Sequence, residues 1–188
     1  PIPQLNGLPG FAEIFFDDVR VPVSNRLGDE GKGWQIAMAT AGFERGLMLR
    51  SPARFQEIAK RLVALYRQHA NDIVDLSVED AVVKSFMDAE AYALSTYQTA
   101  SRLMNGGSIG SEASVNKIFW SELDQLMHET AMRILAHHAE LLPGEHTESL
   151  VGNWMDGFLF AQSGPIYAGT NEIQRNIIAE RLLGMPRK

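Results

Sequence analysis

A glutamate followed directly by an arginine, Glu44-Arg45, stands inside a stretch of helical pattern. A carboxylate can remove a carbon-bound proton only where burial keeps it dry and raises its pKa. On an open helix face it is an ordinary solvated charge. The residues alone leave both readings open. Near the C-terminus, Thr170 is a good N-cap for a last helix, where unsatisfied N–H groups and the positive end of the helix dipole can face an electron-rich group. Capping alone would also account for it. Tyr167 reads equally as a core aromatic with a satisfied hydroxyl or as a ligand contact. His137-His138 is a poor metal pair, because adjacent helical residues point about 100° apart and no carboxylate–histidine spacing accompanies them. The chain has no cysteine, so it has no thiolate nucleophile, no disulfide and no Cys-ligated zinc or iron–sulfur centre. That composition points to the cytoplasm.

Positioning these residues is the work of a mainly helical chain. Phe11 to Val23 mixes aromatic and β-branched residues with alternating polar ones, which predicts one strand or two short ones. A lone strand leaves its hydrogen bonds unpaired, so the rest of its sheet is expected upstream or in another chain. That, with the start Pro1-Ile2-Pro3, suggests a chain cut from something longer. Leu27-Gly28-Asp29-Glu30-Gly31-Lys32-Gly33 is a loop. Trp34 to His69 then reads as helix, interrupted or kinked at Pro52, with Phe55, Ile58, Ala59, Leu62 and Tyr66 on one stripe.

A second long helix is expected to start at a capping box formed by Ser77 and Asp80. Its inner stripe would be Val82, Phe86, Ala89, Ala93, Tyr97, Ala100 and Met104, ending at Asn105-Gly106-Gly107. A third runs from near Ser111 to about Ala139, with Val115, Ile118, Phe119, Leu126, Thr130 and Ile134 inward, before a stop at Pro143-Gly144. A shorter helix covers Leu150 to Gln162, with Val151, Trp154, Phe158 and Ala161 on one face. Ser163-Gly164-Pro165 breaks the chain, and the last helix runs from Thr170 to near Leu183, followed by Gly184 and Pro186. The expected architecture is mainly α: an antiparallel helical bundle over residues 34–188, preceded at 1–33 by a short β-strand segment and connecting loop.

Composition excludes several classes. The 188 residues are 45% hydrophobic and 21% charged, as in ordinary globular chains, and long enough to bury a core without covalent staples. A net charge of -6 argues against sequence-independent nucleic-acid binding, which needs clustered Lys and Arg. No apolar run approaches the ~20 residues of a membrane span, and the N-terminus lacks a signal-peptide pattern.

Three motifs narrow the field. Phe15-Phe16-Asp17-Asp18-Val19-Arg20-Val21-Pro22, with Asn25, Leu27-Gly28 and Gly31-Lys32-Gly33-Trp34, resembles the segment that joins the middle β-domain of the acyl-CoA dehydrogenases to their C-terminal helical domain. Glu44-Arg45 stands where that family has Glu-Arg or Thr-Arg. Ile166-Tyr167-Ala168-Gly169-Thr170-Asn171-Glu172-Ile173-Gln174-Arg175-Asn176-Ile177-Ile178-Ala179 resembles the family's signature near the C-terminus and is the most specific of the three. Gly107 to Lys117 is similar to the loop and start of the third helix.

The resemblance implies FAD as cofactor and an acyl-CoA thioester as substrate, oxidised between Cα and Cβ. A carboxylate takes the α-proton, hydrogen bonds to the thioester oxygen steady the developing enolate, and the flavin is the electron sink. Many relatives carry the catalytic glutamate between the signature's tyrosine and glycine. Here that position is Ala168, which cannot accept a proton. A minority place the base on the first helix of the helical domain, at the position of Glu44, which becomes the candidate base. By the same resemblance Arg45, Tyr167 and Gly169 would line the acyl-CoA site, and Thr170, Asn171 and Glu172 would hold FAD. Electrons would pass to an electron-transfer flavoprotein or similar acceptor, in a homo- or hetero-tetramer.

Two departures concern a neighbouring subunit. The family's Arg-x-x-Phe-Gly is replaced by Arg67-Gln68-His69-Ala70-Asn71-Asp72, and a glycine-rich stretch by His137-His138-Ala139-Glu140. Both remove contacts to a partner's flavin, which suggests a heteromeric member resembling those of bacterial steroid or other bulky acyl-CoA degradation. A non-catalytic partner subunit and an acyl-CoA oxidase or nitroalkane-oxidase-like relative are the alternatives. The 188-residue chain by itself is expected to hold little or no flavin and to be inactive.

Overall fold

The computed structural model describes residues 1–44, 50–71, 73, 75–140 and 151–187; for 41–44 and 151–153 the backbone path alone is described. The chain opens with a two-stranded antiparallel hairpin, β1 (Ile2–Pro3) and β2 (Pro9–Phe11), pairing Ile2 with Phe11 and Pro3 with Pro9. Residues 12–22, expected as strand, are not strand. Alternation sets which side chains share a face, but a strand exists only where a ladder partner stands beside it. Ile14, Phe15, Phe16, Val19 and Val21 are all exposed here, and Asp18 takes a left-handed φ of 48° that breaks the extended run.

Among the described residues six helices follow: α1 (Gly33–Glu44), α2 (Pro52–His69), α3 (Leu76–Met104), α4 (Glu112–Leu135), α5 (Val151–Ala161) and α6 (Asn171–Ile177). The chain leaves α4 through a 3-10 segment, Ala136–Glu140, and leaves α6 through a π-helical turn, Ile178–Leu182. Pro52 does interrupt the predicted long helix. It is at the first helical position of α2, where its missing N–H costs nothing, after Ser51 in extended conformation. The start of α3 differs from the predicted capping box: Asp75 is the N-cap and its carboxylate accepts from both the Ser77 N–H and the Ser77 hydroxyl. Arg133, near the end of α4, donates to the same carboxylate at 2.8 Å, tying the two helix ends together. The Pro143-Gly144 stop lies outside the described residues.

The bundle is built around α4, which packs against α2, α3, α5 and α6; among the described residues α1 packs against none of them. Its core joins Phe55, Leu62, Met127, Leu135 and Trp154 from three helices, all nearly or fully buried. The α2 stripe is as expected for Phe55, Ile58, Ala59 and Leu62.

Two other stripes rotate away from the expectation. On α3, Phe86, Tyr97 and Met104 face solvent, while Val78, Ser85, Tyr92 and Thr96 join Val82, Ala89 and Ala93 inside. Ser85 and Thr96 tolerate burial because their hydroxyls donate to the carbonyls of Ala81 and Tyr92, one turn back. On α4, Val115 is exposed and a polar row is buried: Ser114, Lys117, Ser121, Asp124 and His128, spaced three and four apart. Reading inward faces from apolar residues alone misplaces such a helix, because Lys117, Ser121, Asp124 and His128 each have a partner in a neighbouring element or on their own helix. Among the described residues no helix is long and apolar enough to cross a membrane.

Candidate functional site

Residues 166–170 of the signature form the turn between α5 and α6, and the rest continues through α6 into the π-helical turn. After α5 the chain folds back on itself, with Ile166 and Tyr167 both donating to the Ser163 carbonyl and Asn171 donating to that of Pro165. Ala168 and Gly169 then take left-handed φ values of 55° and 86°. A glycine enters that region freely; an alanine does so against its Cβ. Thr170 leaves in extended conformation and caps α6, its hydroxyl oxygen accepting the Ile173 N–H at 3.3 Å. Gln174, fully buried, donates its side-chain amide to the carbonyls of both Ala168 and Gly169.

Beneath the turn lies α4. The Lys117 ammonium, buried, donates to Asn171 Oδ1 at 2.7 Å, and the Asn171 amide donates to Ser121 Oγ at 3.1 Å. Burial lowers the Lys117 pKa, partly countered by Glu172. Asn171, expected to hold FAD, therefore has its side chain turned into the bundle, where it ties α6 to α4. Glu172 is exposed, and its own main-chain N–H and the Thr170 hydroxyl hold its carboxyl below the usual carboxylate range.

The Tyr167 ring packs on the core beside Trp120 and Phe160, with centroids 5.8 and 6.3 Å away. The guanidinium of Arg50, just before α2, lies over all three rings, 5.0 Å from Trp120, 5.3 Å from Tyr167 and 5.7 Å from Phe160. Such placement is favourable because each π-face is electron-rich. Burial lowers the Arg50 pKa, and Arg54 adds to this. Neither Arg50 Nε nor the Tyr167 hydroxyl has a hydrogen-bond partner among the described residues. The Arg50 carbonyl in turn accepts from Tyr92 Oη at 3.1 Å, so α2, α3, α4 and the signature turn meet at one arginine.

A second buried polar group lies deeper. Asp124 pairs with Arg54 at 3.0 Å, while the His128 ring nitrogen Nδ1 is 2.8 Å from the Asp124 carbonyl and 3.4 Å from its carboxylate. Burial by itself would raise the Asp124 carboxyl, but His128 and Arg54 outweigh it and hold it below the usual range.

The structure thus gathers Tyr167, Gly169, Thr170, Asn171 and Glu172 in one turn. Glu44 ends α1 with its backbone alone described, and the Glu44 side chain and Arg45 lie outside the described residues. Four residues of the neighbourhood were not singled out from the sequence. Gln174 and Lys117 were legible only as members of quoted motifs; Arg50 and Trp120 carried no local signal. His137 and His138, in the 3-10 segment, bring their rings to 4.5 Å, closer than α-helical spacing implies. Among the described residues no third His, Cys, Asp or Glu joins them.

The turn suits a flavin's edge in the donors it exposes. The main-chain N–H groups of Gly169 and Thr170 have no acceptor among the described residues, and the Thr170 hydroxyl and Glu172 stand at the surface.

A helical bundle with this turn defines a class. Residues 31–183 match the family described as acyl-CoA dehydrogenase, C-terminal domain, and the chain belongs to that family. It is 35% identical over 193 residues to the acyl-CoA dehydrogenase IpdE1 of Mycobacterium tuberculosis, an alignment covering 100% of this chain and 47% of the relative. The ChsE4–ChsE5 complex from Mycobacterium tuberculosis superposes with a TM-score of 0.73 at 29% identity, over 93% of this chain and 45% of that one. A variant of the Tcur3481–Tcur3483 steroid ACAD gives 0.79 over 100% of this chain and 49% of that one; at 23% identity it shows the fold alone. The chain spans about half the length of the curated relatives it matches.

Proposed function

We propose that the protein to which this chain belongs is an FAD-dependent acyl-CoA dehydrogenase that introduces a double bond between Cα and Cβ of an acyl-CoA thioester. Residues 1–33 form the end of its middle β-domain and 34–188 its C-terminal helical domain. The observation that carries the reading is the signature turn itself: its backbone is held in shape by Gln174 and Thr170, yet its second position is Ala168, with no carboxylate. An acid–base centre has to be supplied from elsewhere, and Glu44 is the carboxylate at the family's alternative position.

In this reading Glu44 removes the α-proton. Donors exposed by the turn steady the negative charge that develops on the thioester oxygen, where pre-aimed N–H groups need no reorganisation. Tyr167 and Gly169 shape the wall next to the acyl group, and by the family resemblance Arg45 would contribute to acyl-CoA binding. Thr170 and Glu172 hold the cofactor's edge, while Asn171 anchors the helix beneath them. FAD, when bound, accepts the β-hydrogen as hydride. An electron-transfer flavoprotein or similar acceptor in the cytoplasm would be the protein's redox partner.

The altered partner-facing stretches at 67–72 and 137–140 favour a hetero-tetramer acting on a bulky, steroid-like acyl-CoA. The two-component ChsE4–ChsE5 complex supports the heteromeric part of that choice. Titration of the full-length protein, assembled with its partner, with acyl-CoA should bleach the flavin absorbance, and Glu44→Gln should abolish the bleaching. Bleaching unchanged in Glu44→Gln sinks the assignment. Ala168 also favours a second reading, a non-catalytic subunit that completes its partner's flavin site, for which bleaching would follow a partner carboxylate instead. Peroxide formed under air would mark an oxidase.

A further inference from the structure

Gln174 is wholly buried beneath the half-buried signature turn. Its Nε2 donates to Ala168 O and to Gly169 O, each at 3.3 Å, and the two carbonyls dictate that amide orientation, because an oxygen in the same place would repel both. Those carbonyls belong to the two residues with left-handed φ. No peptide bond here is cis, and in a trans peptide the N–H points opposite to the C=O of the same plane. With Ala168 O and Gly169 O fixed inward, the N–H groups of Gly169 and Thr170 must point outward, and neither has an acceptor among the described residues.

Resting on the acyl-CoA dehydrogenase reading above, we propose that Gln174 is a positioning residue of the site: by holding the Ala168 and Gly169 carbonyls inward it aims the Gly169 and Thr170 N–H groups at an acceptor oxygen of the bound ligands. Gln174 touches neither substrate nor cofactor. It acts through the turn. The acceptor oxygen has two possible sources, the flavin ring and the acyl-CoA thioester, with the same chemistry.

The test uses the full-length protein with its partner and two near-isosteric variants. Gln174→Met keeps the length and loses the donors. Gln174→Glu, as a carboxylate, repels both carbonyls; as a neutral acid it regains one O–H donor. Hydrogen exchange at Gly169 and Thr170 is followed without flavin, with flavin, and with flavin plus an enoyl-CoA product, and kcat and KM are measured from pH 6 to 9. In the parent, one ligand addition should slow exchange at these two positions, and which one does so identifies the oxygen. Gln174→Met should lose that protection and at least tenfold in kcat/KM. Gln174→Glu should lose as much at pH 8 and recover part of it at pH 6.

Several results overturn the proposal: no protection in the parent, protection and kcat/KM within twofold of the parent in Gln174→Met, or a Gln174→Glu pH profile parallel to the parent's. If Gln174→Met does not fold, the Gln174→Glu profile decides. Protection that depends on Gln174 in a protein whose flavin acyl-CoA fails to bleach would sink the dehydrogenase reading and leave this one standing.

Discussion

The Lys117 ammonium and the Asn171 side-chain oxygen meet at 2.7 Å with both side chains withdrawn from solvent, joining the middle helix of the bundle to the helix that carries the signature. The contact explains why Asn171 faces inward while its neighbours Thr170 and Glu172 stay at the surface. Asn171→Leu strands a buried ammonium and should cost about 2–4 kcal/mol. Adding Lys117→Met should recover most of that loss, read by urea unfolding of both variants. Equal stability of the single and double variants would contradict the tie.

Arg54 and Asp124 supply a pH-dependent counterpart. The folded Asp124 carboxyl lies below its ordinary 3.8, so its contribution is fully present above that value and is lost as pH falls through the folded pKa. Arg54→Met removes the guanidinium and leaves a buried carboxylate, costing about 2–4 kcal/mol at pH 7, less than for a fully enclosed pair because Arg54 is partly exposed. The gap between variant and parent should narrow from pH 7 to pH 4, since the variant's Asp124 becomes neutral at higher pH. Thermal unfolding at the two pH values reads this, and a constant gap refutes it.

Gly157 on α5 faces the His128 ring so closely that a Cβ there would overlap it. Gly157→Ala gains helix propensity but forces the imidazole off its place against Trp154 and its contact with the Asp124 carbonyl. The overlap should prevail, with a net loss of about 1–2 kcal/mol and a lower Tm.

The proposed roles of Ala168 and Glu44 can be tested by exchange. If the carboxylate of Glu44 is the base, Glu44→Gln should lower flavin reduction by at least about a hundredfold, the lower end of what positioned acid–base groups contribute. Placing a carboxylate on the left-handed turn by Ala168→Glu should restore part of it in the double variant. Stopped-flow reduction by acyl-CoA measures both, and a double variant no faster than Glu44→Gln counts against a shared proton-abstraction site.

Much of this was legible in local sequence. Pro52 had to break the first helical stretch because it lacks an N–H, Thr170 had to cap the last helix, and Asn105-Gly106-Gly107 had to end α3, where Gly106 takes a φ of 81°. These signals act within a few residues of where they are written. The signature at 166–179 likewise located the turn on which the described site residues gather.

What the chain could not settle locally is which faces are hidden and which distant groups meet. Residues 12–22 alternate like a strand but have no ladder partner among the described residues, so the pattern alone made none. The polar row of α4 is buried because α2, α5 and α6 arrive with partners for it, and Arg50 stacks on three aromatics that are 70 to 117 positions away along the chain. Backbone hydrogen bonds and capping are local, so sequence by itself determined the helices, several of their ends and the turn. Burial and pairing depend on which surfaces meet in space, and only the tertiary structure decided those.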